Sequence, residues 1–89
     1  MDINEKLAVV TGAGSGIGRA LASRLVDAGA RFVVCTDLDG AAARETADLI
    51  GAKASGAVLD VADQAAIEDL VTRVEAAHGG IDIFVSNAG

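Results

Sequence analysis

Tyrosine, tryptophan and proline are absent from the 89 residues, and cysteine, methionine and histidine occur once each. No reaction that needs a phenol or an indole can be done by these side chains. A single cysteine cannot close an internal disulfide, which fits a reducing compartment. With no second histidine or cysteine, a metal site built around either residue is not expected. Positive charge is scarce: seven basic residues face 13 acidic ones, for a net charge of −6. Such a balance repels phosphate backbones and anionic lipid surfaces, and it argues against binding nucleic acid by counterion release or binding a membrane. Long apolar runs are missing too, none approaching the ~18 residues of a membrane span. The first residues, Met1 to Lys6, place acids where a secretion leader needs positive charge. A soluble cytoplasmic protein is the expectation.

What is present is a small apolar core. Hydrophobic residues make up 52% of the chain, but 19 of them are alanine, and Leu, Ile, Val and Phe together supply 25 side chains. That exceeds the level of a disordered chain. A chain of this length forms one domain and buries roughly 60 to 65% of its unfolded surface. Apolar clusters centre near Val9, Val33, Val58 and Ile83, separated by 24, 25 and 25 residues. This is the pitch of a strand plus a crossover helix. The clusters at 7–11, 31–36, 56–60 and 81–86 are short and nearly continuous in apolarity, as strands covered on both faces are.

Helical periods lie between them. In 63–78, Ile67, Leu70, Val71, Val74, Ala77 and His78 share a face, Asp63 is placed as the cap, and Gly79-Gly80 ends the segment. The segment 17–28 puts Ile17, Leu21, Leu25 and Ala28 on one stripe and stops at Gly29. Asp39 caps a third helix reaching Ile50 before Gly51. No linker, low-complexity tract or charge run breaks this alternation. The order is therefore β-α-β-α-β-α-β, an α/β fold with a doubly wound, Rossmann-like parallel sheet of strand order 3-2-1-4 within one unit, residues 1–89.

Directly after the first strand comes Thr11-Gly12-Ala13-Gly14-Ser15-Gly16-Ile17-Gly18, leading into the first helix. A glycine turn feeding a helix N-terminus is an anion site: the first-turn N–H groups have no intrahelical partner, and the helix dipole favours negative charge. The strict G-x-G-x-x-G spacing is not met, and no Gly-Lys-Ser/Thr follows to make a phosphate-binding P-loop. A receiver domain would need an acidic pair after the first strand, where Thr11-Gly12 stand.

The spacing T-G-x-x-x-G-x-G resembles the cofactor loop of the short-chain dehydrogenase/reductase family. Three further features stand in register with it. Asp37 closes the second strand 25 residues after Gly12, Asp60-Val61 closes the third, and Asn87-Ala88-Gly89 closes the fourth as the family's N-A-G motif does. The resemblance covers the whole chain and corresponds to the N-terminal, cofactor-binding portion of a member. It implies a dinucleotide held by Gly12, Ser15, Gly16, Ile17 and Gly18, by Asp37 and Leu38 at the adenosine ribose, by Asp60 and Val61 near the adenine, and by Asn87, Ala88 and Gly89, with Asn87 also tying central strands together. NAD is expected over NADP, because Asp37 repels a 2′-phosphate and the positions where relatives often carry a base hold Ser15 and Leu38. Arg19, close to the loop in sequence, is the cation that would favour NADP instead.

Simpler roles compete at several positions. Asp37 and Asp60 could be solvated acids at strand ends, a reading the glycine loop outweighs. Asp39 and Asp63 read as helix caps, Cys35 as packing in a buried strand, and His78 as a complement to a helix dipole. Ser15 either bonds a phosphate oxygen or satisfies the turn.

In this family hydride transfer relies on a Ser, on a Tyr and Lys in Y-x-x-x-K, and on an Asn. The Tyr acts as general acid/base. No tyrosine is present, and the two lysines, Lys6 and Lys53, precede the first and third strands. No catalytic residue is therefore assigned. The expectation is the NAD-binding part of a short-chain oxidoreductase acting on an alcohol or ketone through a part not contained in these residues, and inactive alone. The alternative is a complete non-catalytic dinucleotide-binding or assembly module. The fourth strand would leave an apolar sheet edge open to self-association.

Overall fold

A computed structural model describes residues 2–87. The elements alternate as β1 (Leu7–Val10), α1 (Gly16–Asp27), β2 (Phe32–Asp37), α2 (Gly40–Ile50), β3 (Ala54–Val58), α3 (Gln64–His78) and β4 (Ile83–Val85). All strand pairs are parallel, as the 25-residue pitch of strand plus crossover helix predicts, and the order is the expected β3-β2-β1-β4.

Side chains of β1 alternate between two cores, as a pleated strand requires. Ala8 and Val10 join Val33, Cys35, Ala22, Leu25 and Ala47 on the face covered by α1 and α2. Leu7 and Val9 join Val34, Leu59, Leu70 and Val74 on the face covered by α3. The first of these layers is rich in alanine, and its small side chains let the helices approach the sheet closely. At Gly56 a Cβ would sit 2.5 Å from the Arg44 Cα, so α2 lies against β3 with no room for a side chain between.

The caps form as the sequence suggests. Asp39 accepts from the Ala42 N–H at 3.0 Å and Asp63 from the Ala66 N–H at 3.1 Å, while Gly51 and Gly79 close α2 and α3. His78, in the last turn of α3, stacks on Phe32 with ring centroids 4.2 Å apart.

Three expectations need correction. The buried stripe of α1 is Gly18, Ala22 and Leu25, and Ile17 is 78% exposed, so the stripe read through Ile17 is rotated at the first turn. The reason is the close approach of Gly18 to the Gly12 carbonyl, which only a glycine permits. The third strand begins at Ala54 and ends at Val58, earlier than the apolar cluster suggests, because Ala54, Ser55 and Gly56 pair with Val33, Val34 and Cys35 despite their weak apolarity. The fourth strand is only Ile83–Val85. Among the described residues β4 pairs with β1 alone, and Phe84 on it is 42% exposed. No helix of the described residues is long and apolar enough to cross a membrane.

Cys35 is fully buried in β2, and burial pushes its thiol from 9.0 up to about 11. Because the folded-state value lies above the unfolded one, the neutral thiol's contribution to stability is intact below pH 9 and is lost as pH rises through about 11. Two results are expected. Iodoacetamide labels Cys35 only through unfolding, so mass spectrometry at pH 8 shows a labelling rate that rises with added urea. In Cys35→Ala, the decline of stability between pH 9 and 11 becomes shallower. Rapid labelling in the absence of urea would contradict the buried placement.

Candidate functional site

Beyond Val10 the chain is fastened to both neighbouring strands before it turns into α1. The Thr11 N–H donates to the Val85 carbonyl and the Ala13 N–H to the Thr36 carbonyl, each at 2.9 Å. The loop thus sits at the C-terminal edge of the sheet, between β2 and β4, where ligands of doubly wound folds bind. Gly12 (φ 63°) and Gly16 (φ 56°) take left-handed conformations that other residues adopt only with strain.

At Gly18 the issue is space. A Cβ there would lie 2.0 Å from the Gly12 carbonyl oxygen and 2.7 Å from Asn87 Nδ2. Gly14 is similarly confined, 2.8 Å from both Ala42 Cβ and Asp37 Oδ2. These two glycines let the loop pack closely against Asp37, α2 and Asn87.

The N-terminus of α1 differs from those of α2 and α3. Asp39 and Asp63 cap α2 and α3 through their side chains, whereas the Ser15 side chain makes no capping hydrogen bond. The Ser15 hydroxyl therefore does not cap α1. A helix N-terminus with no side-chain cap favours an anion.

Asp37 closes β2 beside this loop. Its Oδ2 accepts from the Gly14 N–H at 2.9 Å and its Oδ1 from the Asp39 N–H at 3.0 Å. On the other side of β1, the Asn87 N–H donates to Thr11 Oγ1 at 2.8 Å and its Nδ2 reaches the Gly12 carbonyl at 3.5 Å. Thr11 in turn donates to the Val85 carbonyl at 3.3 Å, so Asn87 ties the ends of β1 and β4 as its motif suggests.

These parts enclose an open cavity of about 440 Å³ lined by Gly12, Ser15, Gly16, Ile17, Asp37, Leu38, Leu59, Val61 and Asn87. Eight of these nine were singled out in the sequence. Ile17, lost to the core stripe, is exposed here as part of the wall. Gly18 lies beneath, buried, as the contact that lets the loop descend. Asp60 is the residue that does not join: it is exposed, and its Oδ1 accepts from the Ala62 N–H at 2.9 Å. Its neighbour Leu59 lines the cavity and was not foreseen, because an apolar strand-end residue carries no chemical signal. Ala88 and Gly89 lie outside the described residues.

Arg19 is committed elsewhere. Its Nη2 donates to the Gly14 carbonyl at 2.8 Å and to Glu45 at 3.0 Å, and its Nε donates to Thr46 Oγ1 at 2.8 Å. Lys6 and Lys53 precede β1 and β3, at the opposite edge of the parallel sheet. Among the described residues, no group of three or more His, Cys, Asp or Glu is arranged to hold a metal.

A doubly wound parallel sheet whose first strand runs through a glycine loop into a helix, with an acid closing the second strand, is the Rossmann-type architecture of dinucleotide-binding proteins. The family model described as short chain dehydrogenase matches residues 6–89, and the chain belongs to that family. It is similar to the 3-oxoacyl-[acyl-carrier-protein] reductase FabG of Salmonella typhimurium, 43% identical over 89 residues, covering 100% of this chain and 36% of that protein. It is also similar to galactitol 2-dehydrogenase of Agrobacterium fabrum, 43% identical over 88 residues, covering 99% and 34%. A probable oxidoreductase, EphD of Mycobacterium tuberculosis, is 47% identical over 88 residues, covering 96% and 15%. The chain thus spans little more than a third of the reductase and of the galactitol enzyme. The family is one of oxidoreductases that bind a nicotinamide dinucleotide.

Proposed function

We propose that these residues are the NAD-binding portion of a short-chain oxidoreductase that moves a hydride between a nicotinamide cofactor and an alcohol or ketone. The observation that carries this reading is the placement of Asp37 on the wall of a cavity floored by the glycine loop. A carboxylate has about four acceptor positions, and the Gly14 and Asp39 amides take one on each oxygen. The remaining two suit the adjacent hydroxyls of a ribose. The cradle fits a pyrophosphate on related grounds: the Ser15 side chain makes no capping bond to α1, and Gly12 and Gly16 line the cavity without a side chain to fill it.

Selection of NAD over NADP follows from charge. A 2′-phosphate at this ribose would meet the Asp37 carboxylate and the exposed Leu38, and Arg19 is bound to Gly14, Glu45 and Thr46. When bound, the nicotinamide ring supplies the hydride acceptor or donor. These 89 residues contain no tyrosine, so proton transfer to or from substrate falls to residues elsewhere in the protein.

Titration with NADH tests the reading without interference, since the chain has no tryptophan or tyrosine to fluoresce. Asp37→Ala is expected to weaken NADH by about 10- to 100-fold, the scale of lost charge-assisted hydrogen bonds. NADPH should weaken far less, because the repulsion goes with the carboxylate. Equal weakening of both would point to loop distortion instead, and an unchanged NADH affinity would remove Asp37 from the site.

A further inference from the structure

The loop is held from behind by a chain of hydrogen bonds that ends at Asp37. Thr46, in α2, is fully buried although polar. Its Oγ1 donates to the Ala13 carbonyl at 2.7 Å and accepts from Arg19 Nε at 2.8 Å. The Ala13 carbonyl and the Gly14 N–H belong to one planar trans peptide unit and point in opposite directions. Thr46 therefore grips one side of that unit while Asp37 Oδ2 receives the other at 2.9 Å. Arg19 fixes the direction of the hydroxyl: because its Nε can only donate, the Thr46 proton must go to Ala13. The guanidinium is steadied in turn by the Gly14 carbonyl and by Glu45.

We propose that Thr46, oriented by Arg19, is a positioning residue for cofactor binding: it sets the Ala13–Gly14 peptide so that its N–H holds the Asp37 carboxylate toward the ribose. The inference rests on the dinucleotide reading above. Turned over, the same peptide would present its carbonyl to the carboxylate and repel it. Without the hydroxyl, the buried Ala13 oxygen loses its donor and the native orientation loses its anchor.

Thr46→Val removes the hydroxyl at nearly constant shape, and Thr46→Ser keeps it. In the 89-residue chain, Thr46→Val is expected to weaken NADH about tenfold, the scale of one buried hydrogen bond, while Thr46→Ser stays within about twofold of the parent. Combined with Asp37→Ala, Thr46→Val should add almost nothing, because both act through the same acceptor. A second readout needs no cofactor: by nuclear magnetic resonance, the Gly14 amide exchanges faster with solvent in Thr46→Val and stays protected in Thr46→Ser. Arg19→Met, which keeps the aliphatic stem, should reproduce the loss and serves where Thr46→Val does not fold. Equal damage from Ser and Val would assign the effect to packing and overturn the proposal. So would an unaltered NADH affinity in both Thr46→Val and Arg19→Met. If the parent chain bound no NADH, the cofactor reading would fall and the ribose role with it, while Gly14 exchange would still report whether the hydroxyl orients the peptide.

Discussion

Replacing Gly18 with alanine is expected to eliminate measurable NADH binding and to lower unfolding free energy by about 3 kcal/mol, the upper range for overpacking a rigid site. For a domain of this size that corresponds to a fall in melting temperature of about 15 °C. The added Cβ would lie 2.0 Å from the Gly12 carbonyl oxygen and 2.7 Å from both the Gly12 carbonyl carbon and Asn87 Nδ2. Two of these atoms are backbone of the glycine loop, so the strain cannot be relieved by a rotamer change. Either α1 lifts away from the sheet, uncovering the layer around Ala22 and Leu25, or the loop is pushed into the space of the ligand. Gly16→Ala provides the contrast. Nothing lies within 4 Å of its Cβ position, and the cost is the left-handed conformation alone, about 1 to 2 kcal/mol. Thermal unfolding followed by circular dichroism separates the two. A Gly18→Ala protein that melts within a few degrees of the parent and still binds NADH would contradict the packing described here.

The same contact explains why one element of the fold was misread. Periodicity assigns large apolar residues to the core, and it therefore placed Ile17 on the buried stripe of α1. The helix is instead oriented by a residue with no side chain, Gly18, and Ile17 turns to the cavity. Periodicity locates the buried face of α3 through Leu70 and Val74, which make the contact by their own bulk, though Ala77, read on the same face, is exposed. The third strand starts earlier for a related reason: its first residues, Ala54, Ser55 and Gly56, are small, Gly56 lying against the α2 backbone, and they carry little hydrophobic signal.

Most of the site was legible because its members announce themselves chemically: glycines at fixed spacing, an acid at a strand end, and an asparagine closing β4. What stayed hidden was support across long sequence separations. Thr46 looks like a surface threonine of α2, and Arg19 like a free cation near a phosphate site. Only folding, which brings positions 27 apart to 2.8 Å, shows that each occupies the other. Asp60 illustrates the converse. It has the right residue type at the right place in sequence, yet its carboxylate closes a local turn with Ala62 and stands apart from the cavity.

If selectivity resides at Asp37 and Leu38, exchanging both should move it. Asp37→Ser with Leu38→Arg is expected to change the preference from NADH to NADPH by about two to three orders of magnitude in the ratio of affinities, or about 3 to 4 kcal/mol. Serine removes the repelling charge and retains an oxygen that can accept from the Gly14 N–H. Arginine brings a fork of donors matched to a phosphate. Leu38 is 70% exposed, so the longer side chain needs no space in the core. Neither single change should achieve this. Leu38→Arg alone sets the guanidinium beside the Asp37 carboxylate, which competes for it. Asp37→Ser alone loses the ribose contact and gains no cation, because Arg19 remains tied to Glu45 and Thr46. The two substitutions must therefore couple, with the double variant exceeding the sum of the singles in a double-mutant cycle. Parallel titrations with NADH and NADPH measure both the switch and the coupling. A double variant that still prefers NADH would place the discrimination outside the end of β2 and leave Asp37 as a structural partner of the glycine loop.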